Sequence, residues 1–285
     1  MTKLHSAKLI DYHMHTGVTV DAKMSESEAC AQALARGVHE IAFTNHIMLN
    51  QPAYLMSPEA CLTHWERIQA CQKQYRGLKI RLGLEVDYYP GREEDLAATL
   101  RHYEQVLGRP LDIVLGSVHE LNGVFFSNQH QAPRLYEDQD PVSLYCEYFE
   151  VATQAVRSRL FDIMAHPDLI KKYTYELTPP VAFDKYRLAV EPYIDALLET
   201  GTGIELNTKG LKLKVSEPYP SKELLELYLA KARTAGVAPI ITLGSDAHAA
   251  SDVADHVLEG ATMLRGLGVT ELARFEGRKR STWRL

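Results

Sequence analysis

Short apolar runs recur along the chain, and a segment with helical spacing follows each one. The runs are Ile10 before Asp11, Ile41-Ala42-Phe43-Thr44, Arg81-Leu82-Gly83-Leu84, Ile113-Val114-Leu115-Gly116, Phe161-Asp162-Ile163-Met164-Ala165, Ile204, and Ile240-Ile241-Thr242-Leu243. They read as buried strands. After the first, Ser25-Glu26-Ser27-Glu28 has capping-box spacing, with Ala29, Ala33 and Leu34 on one face before Gly37. Pro58 opens a second helix through Leu62, Trp65 and Ile68 to Tyr75. A third covers about Glu93 to Leu107, and Pro141 opens a fourth that reaches about Arg159. Three more are predicted: Phe183 to Thr200 closed by Gly201, Ser221 to Ala235 closed by Gly236, and Ser251 to about Arg265.

Strand then helix, seven times over, predicts parallel strands joined by right-handed crossovers. Either a closed barrel or an open doubly wound sheet would satisfy that order. The polar residues decide. The runs end, or nearly end, in Asp11-Tyr12-His13-Met14-His15, Asn45-His46, Glu85, Ser117-Val118-His119, His166, Glu205-Leu206-Asn207 and Gly244-Ser245-Asp246-Ala247-His248. In a barrel the C-terminal strand ends converge on one mouth, so residues from all seven can meet. An open sheet gathers only those near its switch point. The pattern therefore predicts a metal-binding barrel.

Composition narrows the picture only in places. A chain of 285 residues is near the size of one such barrel, roughly 250 residues, and reads as a single domain over 1–285. It buries enough core to fold without a disulfide or structural metal, so bound metals would be catalytic. The net charge of -6 argues against a nucleic-acid-coating surface. Cys30, Cys61, Cys71 and Cys146 lack CxxC spacing, and the first three read as buried helix thiols. Met1 to Ala7 holds no apolar stretch and no run approaches 18 apolar residues, so neither a signal peptide nor a membrane span is expected. The chain reads as cytoplasmic. Asn122 to Asp140 and Lys209 to Pro220 read as mouth loops. Arg278-Lys279-Arg280 reads as a solvated tail.

His13 and His15 alternate by one residue, so both imidazoles project to one face of a strand. Asp246 and His248 share that spacing, Asp21 follows in the first loop, and Glu85 is a carboxylate able to bridge two cations. Five such groups would satisfy one closed site, whereas nine suggest two or three ions with open positions. His5, His39, His64, His102, His130 and His256 fall before strands, in helices or in a long loop and read as non-ligands.

At these residues the chain resembles the polymerase-and-histidinol-phosphatase (PHP) superfamily, and specifically its histidinol-phosphatase branch. The likeness rests on Asp11–His15, Gly83–Tyr88, Gly116–His119, Ala165–Lys172, Gly203–Leu211 and Gly244–His248. It implies a distorted (β/α)7 TIM-like barrel with two or three divalent ions (zinc, iron or manganese) at its C-terminal mouth. By that likeness His13, His15, Glu85 and Asp246 would hold one metal. Glu85 would bridge to a second, completed by His119 and His166, and Asp21, His46 and His248 would hold the third. Two positions depart from the branch: Asp21 stands where histidine is frequent, and Asn45 where Asp usually precedes the histidine.

The resemblance further implies a small phosphorylated substrate and metal-dependent phosphomonoester hydrolysis, with histidinol phosphate as the expected substrate. Asp246 and His248 are the nearest candidates for proton transfer. Basic residues in the Lys171, Lys172, Lys209, Lys212 and Lys214 regions would hold phosphate, though the family often has Arg at Lys212. From the reading of their strand, Glu205 and Asn207 are expected to point into the mouth and contact substrate. A broader PHP phosphoesterase acting on nucleotides or other small monoesters is an alternative, and an inactive metal-binding regulatory protein is another.

Overall fold

The computed structural model describes residues 8–137 and 139–285, so His5 and the Met1 to Ala7 segment lie outside the described residues. Seven strands form one sheet: β1 (Leu9–Asp11), β2 (Val38–Ile47), β3 (Lys79–Asp87), β4 (Ile113–Ser117), β5 (Ile163–Met164), β6 (Gly203–Asn207) and β7 (Ile241–Gly244). They lie side by side in chain order, every pair parallel. The first and last edges then meet. Tyr12 N donates to Leu243 O at 2.8 Å and His15 N to Ala247 O at 2.8 Å. Asp11 reinforces the seam, its carboxylate accepting from Ser245 N, Ser245 Oγ and Ala254 N. A sheet closed this way has no free edge. The result is the distorted (β/α)7 barrel that the alternating elements predicted.

The outer helices are α1 (Glu26–Ala35), α2 (Pro58–Gln74), α3 (Glu93–Leu107), α4 (Pro141–Arg157), α5 (Phe183–Thr200), α6 (Lys222–Ala235) and α7 (Val257–Gly266). Their starts follow capping chemistry. Ser25 and Glu28 form the reciprocal box, while Ser57, Asp140 and Ser221 each accept from a backbone N–H in the first turn. Period-two alternation then sorts the strand residues. Phe43 faces outward onto His64 of α2, whereas Glu40 and His46, an even number of residues away from each other, face the barrel interior.

Two expectations need correction. The last helix begins at Val257 rather than Ser251. Ala254 and His256 sit at positive φ, and Ala254 N is held by Asp11, so the chain stays in turns there. The basic C-terminal run is no solvated tail. It lies at the tip of an antiparallel hairpin, β8 (Glu271–Glu276) with β9 (Lys279–Arg284), at the N-terminal end of the barrel. Arg278 pairs with Asp162 at 3.0 Å and donates to Leu160 O. Arg274 donates to the fully buried Glu40, which also takes Arg81 and Tyr12. Among the described residues no helix is long and apolar enough to cross a membrane.

Candidate metal centre

Parallel pairing sets His46 beside Glu85 in register, which places the Glu85 carboxylate in the middle of the barrel mouth. Four other imidazoles reach it. Its Oε1 lies 2.8 Å from His166 Nε2 and 3.6 Å from His119 Nε2. Its Oε2 lies 2.7 Å from His46 Nδ1, 3.2 Å from His13 Nε2 and 3.5 Å from His15 Nε2. Asp246 Oδ1 is 3.4 Å from His15 Nε2 and 3.9 Å from His13 Nε2. Asp21 Oδ2 sits 3.3 Å from His46 Nε2 and 3.2 Å from His248 Nε2.

All nine sequence-predicted side chains therefore gather at one rim. His13, His15 and Glu85 offer ligand atoms within 4.8 Å of one another, as do Glu85, His119 and His166, and also His15, His46 and His248. A further group joins His13, His166 and Asp246. His166 and Asp246 both adopt positive φ, 28° and 52°. Such conformations cost of order 1–3 kcal/mol and are held by their surroundings at functional sites.

Behind the ring stands a set of groups that orient it. Glu205 receives His13 Nδ1 at 2.9 Å and the His166 N–H at 2.9 Å. Asp87 receives the His119 N–H at 2.9 Å and meets its Nδ1 at 3.2 Å. His248 Nδ1 donates to Asp246 O at 2.9 Å. These bonds place the proton on Nδ1 of His13, His119 and His248 and leave each Nε2 lone pair free. Asn45 accepts Thr16 N–H at 2.8 Å, and its amide then faces His64 Nε2, whose Nδ1 meets the buried Glu26 at 2.6 Å.

Electrostatics agree with a cation site. Burial opposes charge on every group, yet Glu205, Glu85 and Asp246 hold His13 well above the ordinary histidine range. Against the same burial, Glu85 and Asp21 push His46 up to about 10. Burial, with His46 and His248 close by, pulls His15 well below it. Despite burial, Glu85 is held far below the usual carboxylate range by His46, His13 and His119, and Asp246 by His13, His15, His248 and Lys209. The carboxylates thus demand positive charge at their centre. His13 Nε2, both nitrogens of His15, Asp21 Oδ1 and Glu85 Oε2 are buried without a hydrogen bond. Unpaired buried polar atoms are costly and rare, and convergent imidazole and carboxylate donors suit a divalent transition metal. The donor set fits.

Above the ring opens a pocket lined by Met48, Tyr54, Phe125, Asn128 and Lys172 around the ligand groups. Lys209 and Tyr219 line its continuation. Both predicted mouth stretches contribute, through Phe125 and Asn128 and through Lys209 and Tyr219, but the first is not irregular throughout, since Val124–Phe125 pairs antiparallel with Glu120–Leu121 and Ala132–Tyr136 is helical. The expected substrate cations divide. Lys172 and Lys209 reach the pocket; Lys171 and Lys212 do not. Lys171 is buried, its ammonium spent on Asp168, Glu217 and Pro218 O. Lys212 is held on the surface by Asp252 and Asp255, both at 2.8 Å. Lys214 is exposed and pairs with Glu176. Glu205 and Asn207 are buried beneath the ring, Asn207 donating to Glu205 at 3.0 Å, and neither lines the pocket.

Sequence reasoning missed the supporting role of Asp87, although it lies two residues beyond Glu85 on the same strand face. It also missed Tyr54 and Phe125, for which no local signal exists. The non-ligand histidines stand apart from the described ligand groups: His39 against Trp283, His64 behind Asn45, His102 on α3, His130 in a loop and His256 beside Glu259.

A PHP domain model matches residues 11–209. The chain is 32% identical to a probable histidinol-phosphatase of Deinococcus radiodurans, over 91% of this chain and 94% of that one. It is 24% identical to a histidinol-phosphatase of Lactococcus lactis, over 95% and 96%. The fold matches the crystal structure of the Lactococcus lactis histidinol phosphate phosphatase complexed with zinc, L-histidinol and phosphate. That match has a TM-score of 0.77 at 22% identity and covers 97% of this chain and 100% of that one.

Proposed function

The chain belongs to the PHP domain family, and we propose that it is a metal-dependent phosphatase converting L-histidinol phosphate and water to L-histidinol and phosphate. One observation carries the reading: nine side chains able to ligate a metal meet at one barrel mouth, under a pocket that also holds Lys172 and Lys209. Relatives of this length named as histidinol-phosphatases supply the substrate.

Two or three divalent ions would be held as the ligand spacing suggests. His13, His15, Glu85 and Asp246 would take one, with Glu85, His119 and His166 on a second and Asp21, His46 and His248 on a third. When bound, such ions supply Lewis acidity and a nucleophile at neutral pH. The chain's own groups do the rest. Glu205 and Asp87 fix the tautomers of His13 and His119. Lys172 and Lys209 meet the dianionic phosphoryl group, and Tyr54 and Phe125 wall the pocket against water. Asp246 and His248 direct their polar atoms into the ring, so in this reading they hold cations and donate no proton to the ester. Buried free thiols at Cys30, Cys61 and Cys71 suit the reducing cytoplasm.

The test is phosphate release from L-histidinol phosphate by metal-reconstituted protein, set against sugar and nucleotide monophosphates. Turnover no better than on that panel would sink the specific substrate. A broader monoesterase is the second reading. The lining favours it: among the described residues the pocket's carboxylates are Asp21 and Asp246, both part of the ring, which leaves none for a substrate ammonium.

A further inference from the structure

We propose that Lys172 is the acid of the reaction, giving its proton to the ester oxygen as the bond to phosphorus breaks. The inference rests on the phosphomonoesterase reading and adds to it a catalytic residue. Lys172 lies at the junction of the pocket, lining both the part floored by Asp21, His46, His119, Asp246 and His248 and the part that continues to Lys209 and Tyr219. Among the described lysines it alone lines both parts, which puts an ammonium beside any ester held over the ring.

The other polar groups at the mouth are committed elsewhere. The Nδ1 protons of His13, His119 and His248 go to Glu205, Asp87 and Asp246 O. Lys209 donates to Asp246 O at 2.8 Å and lies 3.9 Å from Asp252. Lys171 and Lys212 are locked in ion pairs. Tyr54 lines the pocket, but burial and the charge of Asp21 raise its pKa and make it a poor acid.

Lys172 is different. Its ammonium makes one hydrogen bond, to Ser127 O at 2.9 Å, and forms no ion pair within 4.0 Å among the described residues. An ammonium carries three protons, so two remain for substrate. Burial lowers its pKa and Lys209 adds to that, against the pull of Asp246, Asp21 and Glu85. The proton is therefore released more readily than from a solvated lysine, which brings the group nearer to the range where general acids work best.

The step balances. Water forms the new P–O bond, the ester P–O bond breaks, and its electron pair takes a proton from Nζ to give the alcohol. The neutral amine regains from solvent the proton that the attacking water released.

Leaving-group dependence separates this role from phosphate binding. Wild type, Lys172→Met and Lys172→Arg, each metal-loaded and checked for folding by circular dichroism, are assayed on p-nitrophenyl phosphate, glycerol phosphate and L-histidinol phosphate. Affinity for inorganic phosphate is measured by calorimetry. Arg keeps the charge but does not deprotonate. The expected result is a loss of about 10²–10³-fold on the two alkyl esters in both variants. The loss on the aryl ester, whose leaving group needs no proton, should be at most about tenfold on the same scale. Lys172→Arg should hold phosphate within a few-fold of wild type. Equal losses on all three esters, or alkyl turnover restored by Arg, would overturn the proposal and leave Lys172 a binding residue. If wild type cleaves glycerol phosphate but not L-histidinol phosphate, only the substrate reading fails and Lys172 is judged on glycerol phosphate. If wild type cleaves none of the three, both fail.

Discussion

Glu205 stands directly behind His13, with Nδ1 of the imidazole 2.9 Å from one carboxylate oxygen and 3.1 Å from the other. The same carboxylate accepts the His166 N–H and the Asn207 amide. One buried side chain thus orients residues from three strand ends. Glu205→Gln keeps the size but loses the charge and an acceptor. Metal affinity should fall about 10–100-fold, read by metal titration of the apo protein, with the fold intact by circular dichroism. Unchanged affinity would show that His13 needs no partner.

Gly244 makes room for that pair. A Cβ there would lie 1.9 Å from Glu205 Oε1 and 2.5 Å from His13 Cβ. Gly244→Ala should cost about 1–3 kcal/mol in urea denaturation and weaken metal binding as well. Wild-type values for both would mean the carboxylate is free to move.

The two lysines outside the pocket should part company. Lys171→Met leaves Asp168 buried without its ammonium partner, and breaking such a pair costs about 3–5 kcal/mol. Lys212→Ala removes the surface pairs with Asp252 and Asp255 and should change stability by no more than about 1 kcal/mol, with kcat/KM within a few-fold of wild type. Thermal melts and steady-state kinetics check both. A collapse of kcat/KM in Lys212→Ala would place that lysine on the substrate after all.

Burial raises Asp168 to about 6, despite Lys171 and the Ser221 N–H, from the ordinary 3.8. Its folded-state pKa therefore lies above the unfolded one, so the native state binds this proton more tightly. The associated stability is full below about pH 4, is lost as pH rises from about 4 to 6, and stays level above that. Asp168→Asn should remove this component, worth about 3 kcal/mol, visible as a smaller change in denaturation midpoint between pH 4 and 7 than in wild type. Parallel curves for the two proteins would refute the assignment.

Metal removal should destabilise the chain, because ligand binding to the native state alone stabilises it by about 2.7 kcal/mol per site at a hundredfold excess over Kd. Chelation should lower the melting temperature, and readdition of zinc, iron or manganese should restore it. His15→Ala, which removes an imidazole with two buried unpaired nitrogens, should blunt that response. A melting temperature indifferent to metal would count against the whole centre.

Much of this was legible along the chain. Alternation and capping marked the seven strand-helix units, because burial on both faces forces continuous apolar runs and exposed helix ends need side-chain acceptors. The short strand β5 survived that reading because His166 follows it by only two residues. The helix start at Val257 did not, since its delay depends on Asp11, more than 240 residues away, holding Ala254 N. The C-terminal hairpin escaped for a related reason. Its basic tip has its partners, Asp162 and Leu160, far back in the chain.

Residue type and two-residue spacing alone determined that imidazoles and carboxylates crowd the C-terminal ends of parallel strands, because periodicity fixes which face a side chain takes. Tertiary structure alone decided how those groups are used. Lys171 and Lys172 are neighbours, yet one is spent on Asp168 and the other faces the pocket. Glu85 and Glu205 each lie two residues before the end of a strand, yet one lies at the centre of the ring and the other behind it. Those differences come from which distant groups surround each side chain once the barrel closes, and no local pattern carries that information.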